Sequence, residues 1–293
     1  MTDIRFHQAG IVGAGRVARA LALALQPHAI APPMLWSRSS DKARGAAEGV
    51  GAVTEPDLGR LIAECDIIAI AVADDALTDV VSRIAAALPA RPARFIFHVS
   101  GRSGAAALEP LGKAGAMVAA IHPAMTFTGD PESEVGRMAG ARFAITAAAG
   151  DAIERARQIV ASLGGIAVEI AEDRRALYHA ALCHASNYLV TLIDGAAHGL
   201  ERAGVDDPAA LLAPLVRAAL ENCLAHGFAG LSGPLLRGDA RTIAGHLETL
   251  AAHSPSLLPA YSAMARATLD ELKRRETTPS DRLTALDSLL AVP

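Results

Sequence analysis

Gly10-Ile11-Val12-Gly13-Ala14-Gly15-Arg16-Val17-Ala18 joins an apolar run to a turn of small residues that opens an alanine-rich stretch. Phe6 to Val12 reads as a strand and Arg16 to Leu25 as a helix, so the glycines fall in a strand-to-helix turn. Gly13 permits the tight turn, Gly15 lets backbone N–H groups approach a pyrophosphate, and Ala18 lets the helix pack on the strand. The pyrophosphate would rest on the helix N-terminus, where unpaired N–H groups and the helix dipole favour an anion. An ordinary tight turn is the plainer reading. The flanking strand and helix favour a dinucleotide site, with Gly13, Ala14, Gly15, Arg16 and Val17 as its phosphate-binding residues.

The second strand ends where NAD-binding chains carry an acidic residue for the ribose 2′-hydroxyl. Here the sequence runs Met34-Leu35-Trp36-Ser37-Arg38-Ser39-Ser40, with no carboxylate before Asp41. A guanidinium flanked by hydroxyls suits a 2′-phosphate, to which it makes charge-assisted, bidentate bonds. Ser37, Arg38 and Ser39 therefore predict NADP rather than NAD. Ser39 or Ser40 serves equally well as the N-cap of the next helix.

Short apolar runs alternate with helical patterns through the first half, the signature of βαβ units and a parallel sheet. Further strands are expected at Ala52-Val53, Asp66–Val72, Arg94–Val99, Met117–Ile121, Phe143–Thr146 and Ile166–Ile170. Asp66-Ile67-Ile68-Ala69-Ile70-Ala71-Val72 is apolar enough to be buried on both faces. It leads into Ala73-Asp74-Asp75, so Val72, Ala73 and Asp74 are expected to wall the cofactor crevice at the carboxyl edge of the sheet. For the two carboxylates, capping of a helix at Ala76–Leu88 is the favoured alternative.

Past Glu172 no strand pattern returns. Helical spacing runs through Arg174–Leu200, Pro208–Gly227, Ala240–Ala252, Pro255–Arg275 and Pro279–Leu290, with prolines near several starts. The fold class is thus α/β: a Rossmann-type parallel sheet over residues 1–171, followed by an all-α domain over 172–293 for substrate and dimerisation. A helical domain so rich in alanine and poor in aromatics suggests apolar surface covered by a second copy, a homodimer.

The 293 residues are 52% hydrophobic and 20% charged, with a formal net charge of −4, ample material for globular cores. The acidic balance and a 3% aromatic content argue against nucleic acid and anionic membranes as partners. Cys65, Cys183 and Cys223 are too dispersed for a zinc site or a disulfide framework, so no metal is expected and a reducing cytoplasm fits. The stretch Met1–Phe6 lacks a signal-like apolar core, and no uninterrupted membrane span stands out.

His179, Cys183 and Asn187 recur at i, i+4 and i+8 and so share one helix face. A carbonyl or imine receiving hydride develops charge at its heteroatom, which a neighbouring acid must protonate. His179, with an ordinary pKa near ~6.5, suits that role, and Asn187 suits orienting the same group. A histidine on an alanine-rich helix is also compatible with a purely packed residue. Ser100, in His98-Val99-Ser100-Gly101-Arg102-Ser103, and His122, in Ile121-His122-Pro123, lie at expected strand ends facing the crevice. Gly233-Pro234-Leu235-Leu236-Arg237-Gly238-Asp239 reads as a turn with an exposed salt bridge.

These segments, with Thr126-Phe127, Tyr178-His179 and Ser186-Asn187-Tyr188, resemble the Rossmann-like NADP oxidoreductase family carrying a C-terminal helical domain of unknown function, DUF2520. More distantly the arrangement is similar to ketopantoate reductase, pyrroline-5-carboxylate reductase and the β-hydroxyacid dehydrogenases. That likeness implies a C-terminal domain like that of 6-phosphogluconate dehydrogenase. Laid on the Lys-x-x-x-Asn-x-x-x-Asn pattern of ketopantoate reductase, His179 falls at the lysine, Cys183 at the first asparagine and Asn187 at the second. His122-Pro123 also resembles a strand end in prephenate dehydrogenase. The resemblance implies hydride transfer between NADP(H) and a small carbonyl or imine acid. A non-catalytic NADP-binding sensor or assembly protein, and a deazaflavin-coenzyme-dependent oxidoreductase, are the alternatives.

Overall fold

Short apolar strands, the central ones buried throughout, build one sheet of eight strands. In this computed structural model, which describes residues 5–89, 94–148, 150–275 and 281–291, they are β1 (Ala9–Val12), β2 (Met34–Trp36), β3 (Val53–Thr54), β4 (Ile67–Ile70), β5 (Phe95–His98), β6 (Met117–Pro123), β7 (Arg142–Ala147) and β8 (Ile166–Glu169). Their order is β3-β2-β1-β4-β5-β6-β7-β8. Ile11, Leu35, Ile67, Phe97 and Phe143 fill a core on one face, and Val12, Trp36, Ile68, Ile70 and Ile96 fill one on the other. A two-sided core explains why Ile67–Ile70 shows no polar alternation.

Seven helices accompany the sheet among the described residues: α1 (Arg16–Leu25), α2 (Ser40–Ala47), α3 (Leu58–Glu64), α4 (Leu77–Ala87), α5 (Glu109–Lys113), α6 (Pro131–Met138) and α7 (Gly150–Ser162). Ala18, Leu21, Ala22 and Leu25 bury one face of α1. Ser39 caps α2, its side chain accepting from the Lys42 N–H at 3.4 Å. Asp74 and Asp75 do not cap α4. They open a 3₁₀ turn, Asp74–Ala76, and neither that turn nor α4 has a side-chain cap.

The sheet departs from all-parallel pairing at one place, since β6 and β7 run antiparallel while β7 and β8 are parallel. The cause lies in the segment between them. Arg16 donates from Nη1 to the Phe127 carbonyl at 3.1 Å, Arg19 donates to that of Gly129 at 3.2 Å, and α6 packs on α1. The chain therefore stays at the carboxyl edge of the sheet and enters β7 from there. Because order reverses between β1 and β4, this edge also carries the crevice where open α/β sheets bind ligands.

The chain divides into two compact units, Met1–Leu182 and Cys183–Pro293. The long α8 (Arg175–Arg202) begins in the first. It is followed by α9 (Pro208–His226), α10 (Pro234–Arg237), α11 (Ala240–His253), α12 (Leu258–Arg275) and α13 (Asp281–Leu290). The expected helix start at Pro279 lies outside the described residues. Asp207 and Asp239 cap α9 and α11. Within the Gly233–Asp239 segment, the Asp239 carboxylate accepts from the Thr242 N–H at 3.0 Å and from its hydroxyl at 2.7 Å.

Ile243, Leu269, Leu272, Leu283 and Leu286 form the core of the second unit. In α9 only Pro208 and Leu212 are buried, while Leu224 is 78% exposed. Pro208–Arg237 is long and apolar enough to cross a membrane, with mean hydropathy 1.2. Arg217 and Glu221 interrupt α9 with charge, and the 3₁₀ turn Gly227–Gly230 separates it from α10, so this stretch is not an uninterrupted span.

Candidate functional site

The turn after β1 has a backbone conformation that demands glycine. Gly13 has φ +137°, and a Cβ on it would overlap the Ala71 carbonyl oxygen. Gly15 is the N-cap residue of α1, and a Cβ there would meet no atom within 4 Å, so this side of the turn stands open to a ligand. A cleft of about 490 Å³ extends from it, lined by Gly13, Ala14, Gly15, Ser37, Arg38, Ser39, Val72 and Ala73 among others. Arg16, Val17 and Asp74 are not in its wall. The Arg16 guanidinium is engaged with Phe127, which leaves its backbone N–H as its contribution to the α1 N-terminus.

Lys42, on the first turn of α2, also lines this cleft. The wall contains two cations and no carboxylate. Asp41 points its charge to Arg44 instead, at 3.4 Å on the exposed surface. A larger cavity of about 850 Å³ lies elsewhere, between α5 and the ends of β7 and β8. It lacks the glycine turn and the paired cations, so its size does not make it the dinucleotide site.

Beyond β5 and β6 the structure gathers four rings. His98 is fully buried and bonded at both nitrogens: Nδ1 accepts from the Ser100 N–H at 3.1 Å, and Nε2 lies 2.8 Å from the Gly104 carbonyl. Since Nδ1 must accept, Nε2 carries the proton and donates to Gly104. Burial pushes its pKa down to about 4, so it is a neutral brace for the Ser100–Gly104 loop. Ser100 is part of that brace, its Oγ accepting from the Ser103 N–H at 3.2 Å.

His122 is mostly buried, and its Nδ1 lies 2.9 Å from the Tyr178 hydroxyl. Its ring meets that of Tyr178 edge-on at 5.7 Å and that of His179 edge-on at 5.9 Å. Burial first, then the charge of Arg175 and the neighbouring His179, pushes the His122 pKa down to about 4. Gly101 makes the cluster possible, because a Cβ there would lie 2.9 Å from His122 Nε2 and closer still to His179. Arg175, only 1% exposed, stands behind the cluster. It donates from Nε to Thr146 Oγ1 at 2.9 Å and from Nη2 to the Ala144 carbonyl at 3.3 Å. Among the described residues no carboxylate pairs with it, and its Nη1 has no partner.

Ser100, His122 and His179, expected from the sequence, thus converge in the first unit. Asn187 and Cys183 continue the α8 row into the second unit. Sequence reasoning missed Lys42, Arg175 and the part played by Tyr178. The i, i+3, i+4 spacing of Arg175, Tyr178 and His179 was the available signal, since it places all three on one side of a helix.

A Rossmann-like domain model matches residues 2–123, and a model described as a domain of unknown function (DUF2520) matches residues 141–268. The chain thus carries a Rossmann-like domain followed by a DUF2520 domain. No curated protein matches it. Members of this fold among solved structures include a Bacteroides fragilis protein named as an NADP oxidoreductase, with TM-score 0.73 and 20% identity, covering 91% of this chain and 98% of that one. An Aspergillus terreus reductive aminase, solved with NADPH4, cyclohexanone and allyl amine, aligns at TM-score 0.61 and 19% identity over 97% of this chain and 99% of its own. A pyrroline-5-carboxylate reductase from Coxiella burnetii aligns at TM-score 0.57 and 17% identity over 97% and 96%. This chain shares their architecture, a Rossmann-type sheet followed by helices.

Proposed function

We propose that the chain is a cytoplasmic NADP-dependent oxidoreductase that transfers hydride between NADP(H) and a small carbonyl or imine acid. The observation that carries this reading is the cleft beside Gly13 and Gly15, whose wall combines Arg38 and Lys42 with no carboxylate. The residues fit the cofactor: backbone N–H groups at the start of α1 hold the pyrophosphate, and the two cations hold the 2′-phosphate. When bound, the cofactor supplies the hydride. His179 exchanges the accompanying proton with the substrate heteroatom, Asn187 orients the substrate, and Ser100 and His122 line its place. Residues 172–293 form the substrate and dimerisation domain, and the exposed leucines of α9 are covered by a second copy of the chain.

A reductive aminase solved with cyclohexanone and allyl amine and a pyrroline-5-carboxylate reductase have the same architecture, which supports a carbonyl or imine substrate. The test is a titration with NADPH and NADH, followed by NADPH oxidation with pyrroline-5-carboxylate and with cyclohexanone plus allyl amine as probes. NADPH binding at least tenfold tighter than NADH, with turnover on a probe, is expected. Replacing His179 by Ala should lower kcat by roughly 10²–10⁴ with cofactor affinity intact. NADPH binding without turnover on any oxo acid or imine would favour a sensor instead.

A further inference from the structure

The two nitrogens of His122 have unlike surroundings. Nδ1 is tied to the Tyr178 hydroxyl at 2.9 Å. Nε2 has no hydrogen-bond partner among the described residues, yet it is not one of the sealed, unsatisfied atoms. It packs close to Gly101, where a Cβ would come within 2.9 Å of it. The phenol of Tyr178 stays protonated at neutral pH because burial raises its pKa, so its O–H is available to donate. Arg175 lies beside this pair, its guanidinium 5.9 Å from the Tyr178 ring centre, with no carboxylate to neutralise it. A second positive charge on His122 would be repelled by Arg175 and by any proton held on His179.

From this geometry we infer that Tyr178 locks His122 in its Nε2–H tautomer, making His122 a fixed, neutral hydrogen-bond donor to the carbonyl oxygen or imine nitrogen of the substrate. A ring nitrogen that accepts a hydrogen bond cannot carry the proton, so donation by Tyr178 to Nδ1 leaves the proton on Nε2. A neutral imidazole then stabilises charge on the substrate heteroatom without itself giving up a proton, and proton exchange is left to His179. His122 and His179 therefore divide two tasks between adjoining rings. Arg175 and Tyr178 act through His122 as positioning residues. The assignment rests on the proposed reductase reading for its substrate, but not for the tautomer.

The tautomer is testable without turnover. Nitrogen-15 NMR of histidine-labelled protein, free of cofactor, should show His122 as neutral Nε2–H from pH 8 down to about pH 5. In Tyr178→Phe the same resonances should move toward a mixture of tautomers while the fold, followed by circular dichroism, is retained. A wild-type Nδ1–H tautomer, or an imidazolium at pH 6, overturns the proposal even if the enzyme reduces every probe. In kinetics with cyclohexanone plus allyl amine, His122→Gln keeps a side-chain N–H and should retain at least tenfold more kcat than His122→Leu. Equal losses in the two variants would also overturn the donor role. Absence of turnover in the wild type would sink the reductase reading while leaving the NMR result standing.

Discussion

The sheet unit and the helical unit use leucine in opposite ways. Leu21, Leu25 and Leu35 are sealed in the core around the sheet, whereas Leu211, Leu215, Leu220 and Leu224 of α9 are all exposed. The first unit buries most of its apolar side chains in the two cores that flank the sheet. The second forms a small core from side chains of α11 to α13 and leaves these four leucines of α9 exposed. Contiguous exposed apolar side chains are a common mark of interaction surfaces, and we propose another copy of the chain as the partner here.

Single substitutions separate the two units most strongly. Replacing the sealed Leu35 by Ala should cost about 2–5 kcal/mol in urea unfolding, because the surrounding strands cannot close over the cavity. Acid should weaken the sheet unit next. The unfolded chain takes up protons at its histidines below about pH 6.5, whereas folded His98 and His122 do so only near pH 4. Between those values the unfolded state binds more protons, so stability falls as pH falls, by on the order of 3 kcal/mol for a fully buried imidazole. Unfolding free energies at pH 7 and pH 4.5 would measure it, and His98→Gln should flatten the slope.

Cofactor affinity gives a smaller, local effect. Arg38→Ala and Lys42→Ala should each weaken NADPH binding by about 10- to 100-fold and leave NADH nearly unchanged. Calorimetric titration checks this, and an equal loss for both cofactors would break the link to the 2′-phosphate. The smallest change is expected for Leu224→Ala, within about 0.5 kcal/mol for the isolated chain. Its consequence should show in sedimentation equilibrium instead, as weaker self-association. A monomeric wild type at micromolar concentration would remove the proposed second copy.

The sequence made the architecture legible where burial imposes a strict pattern. Asp66–Val72 announced a strand buried on both faces, and the shift after Glu172 announced the helices. The reversal of β7 was hidden because it depends on α6 packing against α1, a contact that no local pattern encodes. At the site, Gly13 and Gly15 were readable from the turn after the first strand and Arg38 from the end of the second. Lys42 was not, since it sits one turn beyond the strand end where a ribose contact is sought. Tyr178 stood beside His179 in plain view, yet its partner His122 lies 56 residues away. Only the fold brings the hydroxyl to that imidazole.

The tether between α1 and the loop after β6 has a further consequence, for redesign. Both acceptors, at Phe127 and Gly129, are backbone carbonyls, which any residue supplies. The loop's position is therefore encoded in part by Arg16 and Arg19, more than a hundred residues earlier, together with Glu134, which accepts from the Gly129 N–H, and the packing of Met125 and Phe127. Thr126 and Thr128, both exposed, can be randomised to alter what enters the crevice while the wall stays where it is. Gly129, with φ +103°, is the position such a library should leave alone.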